Sequence, residues 1–105
     1  MTADTLLTYA QSRKHEVIYT NTPIAFSVEE SRQCYIAIPR GLSSVDEKEA
    51  LAHELGHCET GAFYTYRAQA AEITSCELRA ERWAICFLLP YDDLCRQIAA
   101  GLQVP

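Results

Sequence analysis

The sequence predicts a fold of the α+β class, with a small, mostly antiparallel sheet packed on helices. The chain has 105 residues, 49% of them hydrophobic and 22% charged, which is the size and composition of one globular domain. Short β-branched and aromatic stretches, bounded by turn residues, lie between positions 17 and 38. Helical patterns lie on both sides of them, and this order of helix, sheet and helices is typical of α+β proteins.

The N-terminal part of the chain carries one helix and three strands. Leu6, Leu7 and Ala10 share the inner side of a predicted first helix over 4–14. The clearest strand is 34–38, Cys-Tyr-Ile-Ala-Ile, which is stopped by the proline and glycine that follow it. We also expect strands over 17–19 and 24–28, with the polar segment 29–32 as the turn before the third strand.

A strong helix start follows the sheet. Ser44 and Glu47 stand in the Ser-x-x-Glu order of a capping box, and Asp46 adds negative charge at the positive end of the helix. This second helix is predicted over 45–59, and Gly61 lies where a helix terminator is expected.

Two further helices are expected after an aromatic-rich loop at 62–66. A long one ends just before Pro90, and a last one begins at Asp92 or Asp93 and runs through Ala100. The chain then closes on the apolar residues 101–105, whereas a C-terminus is usually polar. We therefore expect a single domain over 1–105 that is truncated at its C-terminus.

Charge and cysteine content narrow the functions open to the chain. Nine basic against fourteen acidic residues give a formal charge of −5 without a basic cluster, so direct binding of DNA or RNA is disfavoured. The N-terminus lacks a signal-peptide pattern, and the longest apolar run, 83–89, is too short to span a membrane. Five cysteines without a Cys-x-x-Cys pair favour reduced, mostly buried thiols in a cytoplasmic protein over a disulfide framework.

The segment His53-Glu54-Leu55-Gly56-His57 carries the chemistry. Residues four apart in a helix differ by about 40° in direction, so His53 and His57 project from one face and can bind one zinc ion. Glu54 lies about 100° around the helix, beside the metal, where it can take a proton from water and give it to a leaving amine. The alternative is two solvated histidines on an amphipathic helix, but the helix-start signal upstream favours a metal site.

A catalytic zinc ion takes a third protein ligand and keeps one position open. Glu77 and Glu81 share a helical stripe with Ala80 and Ala84, whose small size would let this helix approach the histidines. We therefore favour Glu77 as the third ligand, the alternative being a solvated pair of glutamates. The other candidates downstream are Glu59, which points away from the histidine face, Glu72 and Cys76.

The sequence resembles the ImmA/IrrE family of metallopeptidases over about 34–90. The resemblance rests on His53-Glu54-Leu55-Gly56-His57-Cys58, on 77–84 (Glu-Leu-Arg-Ala-Glu-Arg-Trp-Ala) and on Leu88-Leu89-Pro90. It implies a minimal zincin-like fold, similar to gluzincin proteases, with His53, His57 and Glu77 as zinc ligands and Glu54 as general base. Glu81 stands where such families place an Asp that supports a ligand histidine, one methylene longer than that Asp.

Members of this family typically act inside bacteria, often from prophages or mobile elements, and cleave or inactivate a helix-turn-helix repressor. The resemblance therefore implies a cytoplasmic endopeptidase whose protein partner, rather than the enzyme, binds DNA. The alternative is a catalytically silent, zinc-containing module that binds and regulates a repressor.

Two tyrosines and two cysteines near these helices complete the candidate residues. Tyr64 and Tyr66 lie in the loop between the metal-bearing helices, where a phenol could stabilise an oxyanion, although such tyrosines are more often packing residues. Cys58 and Cys76 each adjoin a candidate ligand, but their one-residue offset predicts buried thiols instead of ligands.

Overall fold

The computed structural model of the protein describes residues 2–89, 96, 100 and 101. The α+β class is confirmed, and the predicted helices and strands are found within a few residues of their expected bounds. The last predicted helix, from Asp92 or Asp93 to Ala100, lies outside the described residues except at isolated positions. The elements are α1 (Ala3–Ser12), β1 (Glu16–Thr20), β2 (Phe26–Glu30), β3 (Gln33–Pro39), α2 (Ser44–Thr60) and α3 (Ala70–Leu88).

The three strands form one sheet in the order β1-β3-β2, with β3 in the centre. β2 and β3 are antiparallel and are joined by a tight turn at Ser31 and Arg32, which both have positive φ. After β1, at one edge of the sheet, the chain forms β2 at the opposite edge and then returns through the centre as β3. β3 runs parallel to β1. The sheet is therefore mixed, and the expected antiparallel pairing holds for one of its two strand pairs.

One face of the sheet packs on α2. Ile36 and Ile38 of β3 point to this inner face and are fully buried, together with Leu51 and Leu55 of the helix. Because side chains alternate along a strand, Ser27 of β2, which pairs with Ile36, also points toward α2. The register thus brings a polar side chain of an edge strand over the helix that carries the histidines.

Helix α2 is capped at both ends, although its N-cap is not the serine that the sequence pattern indicated. The Ser43 hydroxyl, not that of Ser44, accepts a hydrogen bond from the Asp46 N–H. Ser44 was a wrong prediction because both neighbouring serines can cap, and Ser43 is the one with extended backbone. Gly61 ends the helix in the left-handed conformation, as predicted.

Helices α2 and α3 approach each other closely at Gly56. A Cβ atom at this position would lie 2.3 Å from the carbonyl oxygen of Ala80 and 2.9 Å from its Cα. Ala80 and Ala84 are buried, as the small-residue stripe predicted. Glycine destabilises a helix by about 1 kcal/mol relative to alanine. Here the absence of a side chain at Gly56 permits contact between the backbones of the two helices.

A disulfide between Cys34 and Cys58 joins β3 to α2, with their Cα atoms 5.9 Å apart. The prediction of reduced thiols is therefore wrong for Cys34 and Cys58, and so is the prediction that Cys58 is a buried thiol. The pairing depends on the packing of the sheet against the helix, and two cysteines 24 residues apart do not reveal it in the sequence. Cys76 is a free and buried cysteine, as predicted.

Helix α1 is held to the C-terminal turn of α2 through Glu59. The Tyr9 hydroxyl donates to Oε1 of Glu59 at 2.5 Å, and Nε of Arg13 donates to the same oxygen at 3.0 Å. Burial alone would raise the pKa of Glu59, but these two hydrogen bonds and the Arg13 charge outweigh it and lower the pKa.

Among the helices within the described residues, none combines the length and the hydrophobicity needed to cross a bilayer.

We predict that Glu59→Gln lowers the free energy of unfolding by about 1 kcal/mol at neutral pH, because the hydroxyl of Tyr9 loses a charged hydrogen-bond acceptor. The pKa of Glu59 in the folded protein lies below its ordinary 4.5, so its charge stabilises the fold above that value. This stabilisation is lost as the pH falls through the lower, folded pKa. Urea denaturation at about pH 7 and about pH 3 measures both effects.

The control is Glu49→Gln, on an exposed position of the same helix, which should change stability by less than about 0.5 kcal/mol. An equal loss of stability for Glu59→Gln at both pH values would contradict the assignment of its effect to charge.

Candidate metal centre

The two histidines of α2 lie one turn apart, and their Nε2 atoms face α3. Their ring centroids are 5.0 Å apart and the rings are nearly perpendicular. His57 is buried, whereas His53 is about a quarter exposed. The i,i+4 spacing therefore places two imidazole nitrogens at one point between the helices, as predicted from the sequence.

The other ring nitrogen of each histidine is held by a hydrogen bond. Nδ1 of His57 donates to the backbone carbonyl of Ala62 at 2.6 Å. Nδ1 of His53 lies 2.7 Å from Oε2 of Glu81. A proton held at Nδ1 leaves the lone pair of Nε2 free, which is the tautomer that a metal ligand needs. Glu81 thus lies where a residue that orients the candidate ligand His53 is expected.

Glu77 of α3 lies between the two free nitrogens. Its Oε2 is 2.6 Å from Nε2 of His53 and 3.3 Å from Nε2 of His57. When both Nδ1 atoms act as donors, the two Nε2 atoms and Oε2 of Glu77 are all hydrogen-bond acceptors, and they converge on one point. Acceptors approach each other so closely only around a proton or a metal cation. Two imidazole nitrogens and one carboxylate are a ligand set that zinc accepts with one position open. The residues present therefore fit a zinc ion.

Hydrogen bonds and neighbouring charges within this site shift the pKa values of Glu77 and His53. Burial would raise the pKa of Glu77, but the hydrogen bond from Tyr64, the one that His53 donates when both of its nitrogens are protonated, and the nearby imidazoles outweigh it and lower the pKa. Burial would lower the pKa of His53, but the hydrogen bonds to Glu81 and Glu77 and the charge of Glu54 outweigh it and raise the pKa. The site thus holds its carboxylate in the anionic form that binds a cation.

Tyr64 joins the site and Tyr66 does not. The Tyr64 hydroxyl donates to Oε1 of Glu77 at 2.7 Å, which raises the pKa of Tyr64 to about 12. Tyr66 is 90% exposed, and its hydroxyl accepts a hydrogen bond from Arg67 at the rim of the cleft. Of the two predicted oxyanion stabilisers, only Tyr64 therefore has its phenol beside the candidate ligands.

Glu54 projects toward the sheet, to the side of the two histidines. Its side chain is buried, and Oε1 accepts a hydrogen bond from Ser27 of β2 at 2.8 Å. Burial raises the pKa of Glu54, whereas the Ser27 hydroxyl and the two histidines act against this rise. The sequence analysis did not single out Ser27. Its position between Phe26 and Val28 in a predicted strand could have indicated it, because alternation along the strand places this one polar side chain on the face opposite to its two apolar neighbours.

A cleft of about 620 Å³ opens over these residues, between β2 and the loop after α2. Glu54, His57 and Glu77 line it together with Tyr64. Apolar side chains of β2 and of the segment before it, among them Ile24 and Phe26, complete its lining. A cleft with an apolar lining and a few converging polar groups is the usual form of a site that binds a substrate.

The remaining sequence candidates are directed elsewhere. Glu59 binds Tyr9 and Arg13 and is not part of the cleft lining, as its predicted direction implied. The Cys76 thiol donates to the carbonyl of Phe63, as expected of a buried thiol outside a metal site. Glu72 is exposed and is not part of the cluster.

Two histidines of one helix that meet a glutamate of a second helix, beside a buried carboxylate, form the arrangement of a metallopeptidase-like domain. Residues 8–103 match the family described as the IrrE N-terminal-like domain, Peptidase_M78. This match covers most of the chain, so the protein belongs to that family, and the resemblance drawn from its motifs is confirmed. No curated protein and no solved structure gives a significant match.

We predict that Ser27→Ala raises the pKa of Glu54 further, because it removes a hydrogen bond that stabilises the carboxylate. The Glu54 carboxyl of the metal-free protein can be titrated by carbon-detected NMR. The midpoint should lie above the ordinary 4.5 in the unsubstituted chain and higher still in the variant. Ser75→Ala, an exposed position of α3, is the matched control. An unchanged midpoint in Ser27→Ala would show that the hydroxyl does not act on Glu54.

Proposed function

We propose that this protein is a zinc-dependent endopeptidase that cleaves a specific intracellular protein. The observation that carries the proposal is the convergence of His53, His57 and Glu77 at one point, next to the buried carboxylate of Glu54. Membership of the IrrE N-terminal-like family supports peptidase chemistry at this point. His53, His57 and Glu77 would hold one zinc ion.

When bound, zinc supplies a Lewis acid that makes a water molecule acidic and polarises the peptide carbonyl. Glu54 then acts as general base and afterwards as acid for the leaving amine. Its raised pKa suits both roles, because the proton it accepts is held more tightly than by an ordinary carboxylate. Ser27 fixes one carboxylate oxygen of Glu54, and the other oxygen would exchange the proton.

Tyr64 is the donor that we propose for the developing oxyanion. Its pKa of about 12 keeps the phenol protonated at neutral pH, so that it can donate throughout the reaction. In the structure the hydroxyl donates to Glu77, and a substrate carbonyl in the cleft would compete for the same proton. Glu81 acts through His53, whose ring it orients for metal binding.

We propose a helix-turn-helix repressor of a phage or mobile element as the substrate. Such a protein carries a basic surface for DNA, and the net charge of −5 on this chain would favour its approach. The lining of the cleft by the edge strand β2 suits an extended peptide, since the outer edge of that strand has backbone groups to pair. The proposed location is the cytoplasm, where the repressor acts.

The experiment is incubation of the zinc-loaded chain with the product of the neighbouring gene, which we expect to be the helix-turn-helix repressor. We predict that Glu54→Gln retains zinc but lowers cleavage at least about a thousandfold, because the amide keeps the shape and loses the basicity. Glu77→Ala should lose both zinc and cleavage. Zinc is measured by elemental analysis and cleavage by mass spectrometry of the products.

Arg79→Ala, an exposed position of the same helix α3, serves as the control for folding and purification and should retain both zinc and cleavage. Cleavage by Glu54→Gln at the rate of the unsubstituted chain would contradict the mechanism. A chain that binds zinc and the repressor but leaves it intact would instead be a silent binding module.

A further inference from the structure

A second cluster of metal-ligating side chains lies on the sheet-facing side of α2. It consists of His15, Cys34 and Cys58, whose ligand atoms all lie within 4.8 Å of one another. His53, His57 and Glu77 form a separate group, which faces α3. The two clusters share the helix α2 and no residue.

The fold brings these three residues together. Glu16 of β1 pairs with Tyr35 of β3 in parallel register, so His15 and Cys34, one position earlier, are neighbours at the same end of the sheet. Cys58, in the last turn of α2, is bonded to Cys34 from the helix side. Both cysteines are buried, and the His15 side chain is only 14% exposed.

One imidazole nitrogen of His15 has no hydrogen-bond partner in the described part of the chain. This nitrogen, Nε2, is buried. The nearest carboxylate oxygen, Oε2 of Glu59, is 3.7 Å away, which is beyond hydrogen-bond distance, and Glu59 is held by Tyr9 and Arg13. A buried polar nitrogen without a partner is destabilising unless a hydrogen-bond partner or a metal ion satisfies it.

We propose that the reduced chain binds a zinc ion through His15, Cys34 and Cys58, at a site separate from the metal centre of the cleft. Two thiolates and one imidazole suit zinc better than the harder divalent cations. Reduction by a dithiol or phosphine adds two electrons and two protons and gives two thiols, and zinc binding then releases these two protons. The carboxylate of Glu59 lies beside this cluster, with Oε2 3.7 Å from Nε2 of His15.

Conversion of the disulfide into a zinc site requires only a small movement of the two sulfur atoms. Two sulfurs bound to one tetrahedral zinc ion are about 3.8 Å apart, since each Zn–S bond is about 2.3 Å. Rotation about the two Cα–Cβ bonds moves the sulfurs apart while the Cα atoms stay at their present separation of 5.9 Å. Disulfide and zinc therefore exclude each other, and each would join β3 to the end of α2.

The test compares the zinc content of the full chain in two redox states. After reduction with a phosphine, which competes weakly for zinc, the protein should bind one zinc ion more than the oxidised protein does. This difference does not depend on the cleft, so the comparison is repeated in Glu77→Ala, where it should persist. Equal zinc content in the two states would overturn the proposal, whatever the cleft binds.

Cobalt titration identifies the ligands, because thiolate coordination gives an intense near-ultraviolet charge-transfer band that histidine and carboxylate ligands do not give. Reduced wild-type protein should show the band, and Cys58→Ser should lose it. His15→Gln leaves both cysteines in place, so it tests the site even where a cysteine variant does not fold; it should weaken cobalt binding at least tenfold.

Cys86→Ser, which removes an exposed free cysteine, is the control and should retain the band. A band that survives in Cys58→Ser, or an affinity unchanged in His15→Gln, would show that these residues do not form the site.

Discussion

The contact between the backbones of α2 and α3 at Gly56 is the constraint on which the candidate metal centre depends. A side chain at that position would overlap the Ala80 carbonyl, so only glycine allows the helices this separation. Glu77 precedes Ala80 by three residues and therefore lies on the same face of α3, next to the histidines that flank Gly56. A wider separation would leave the two imidazoles without their carboxylate.

Helix α2 presents different chemistry to each of its neighbours. Toward α3 it presents His53 and His57, and toward β2 it presents Glu54, which Ser27 holds. Toward β3 it presents Cys58, bonded to Cys34. Burial in the small core raises the pKa of Glu54, while the hydrogen bonds from Tyr64 and His53 lower the pKa of Glu77. The packing of one helix thus sets both the geometry and the protonation of the site.

The sequence predicts the parts of this arrangement that follow from helical periodicity. The spacing of His53 and His57, and the stripe that carries Glu77 with small residues, are local patterns, and the structure brings these side chains together. The contact of Ser27 with Glu54 and the clustering of His15 with the cysteines depend on strand register and on sheet-to-helix packing. Those are long-range properties, so residue spacing alone did not reveal them.

The most direct test is the zinc affinity of Gly56→Ala, measured by chelator competition on the oxidised protein so that the cysteine pair takes no part. Alanine favours a helix by about 1 kcal/mol over glycine, so its local effect is to stabilise α2. We nevertheless predict that zinc binding weakens at least tenfold, while circular dichroism shows the helices retained, because the added methyl group pushes α3 and Glu77 away. An affinity equal to that of the unsubstituted chain would contradict the claim that this contact builds the site.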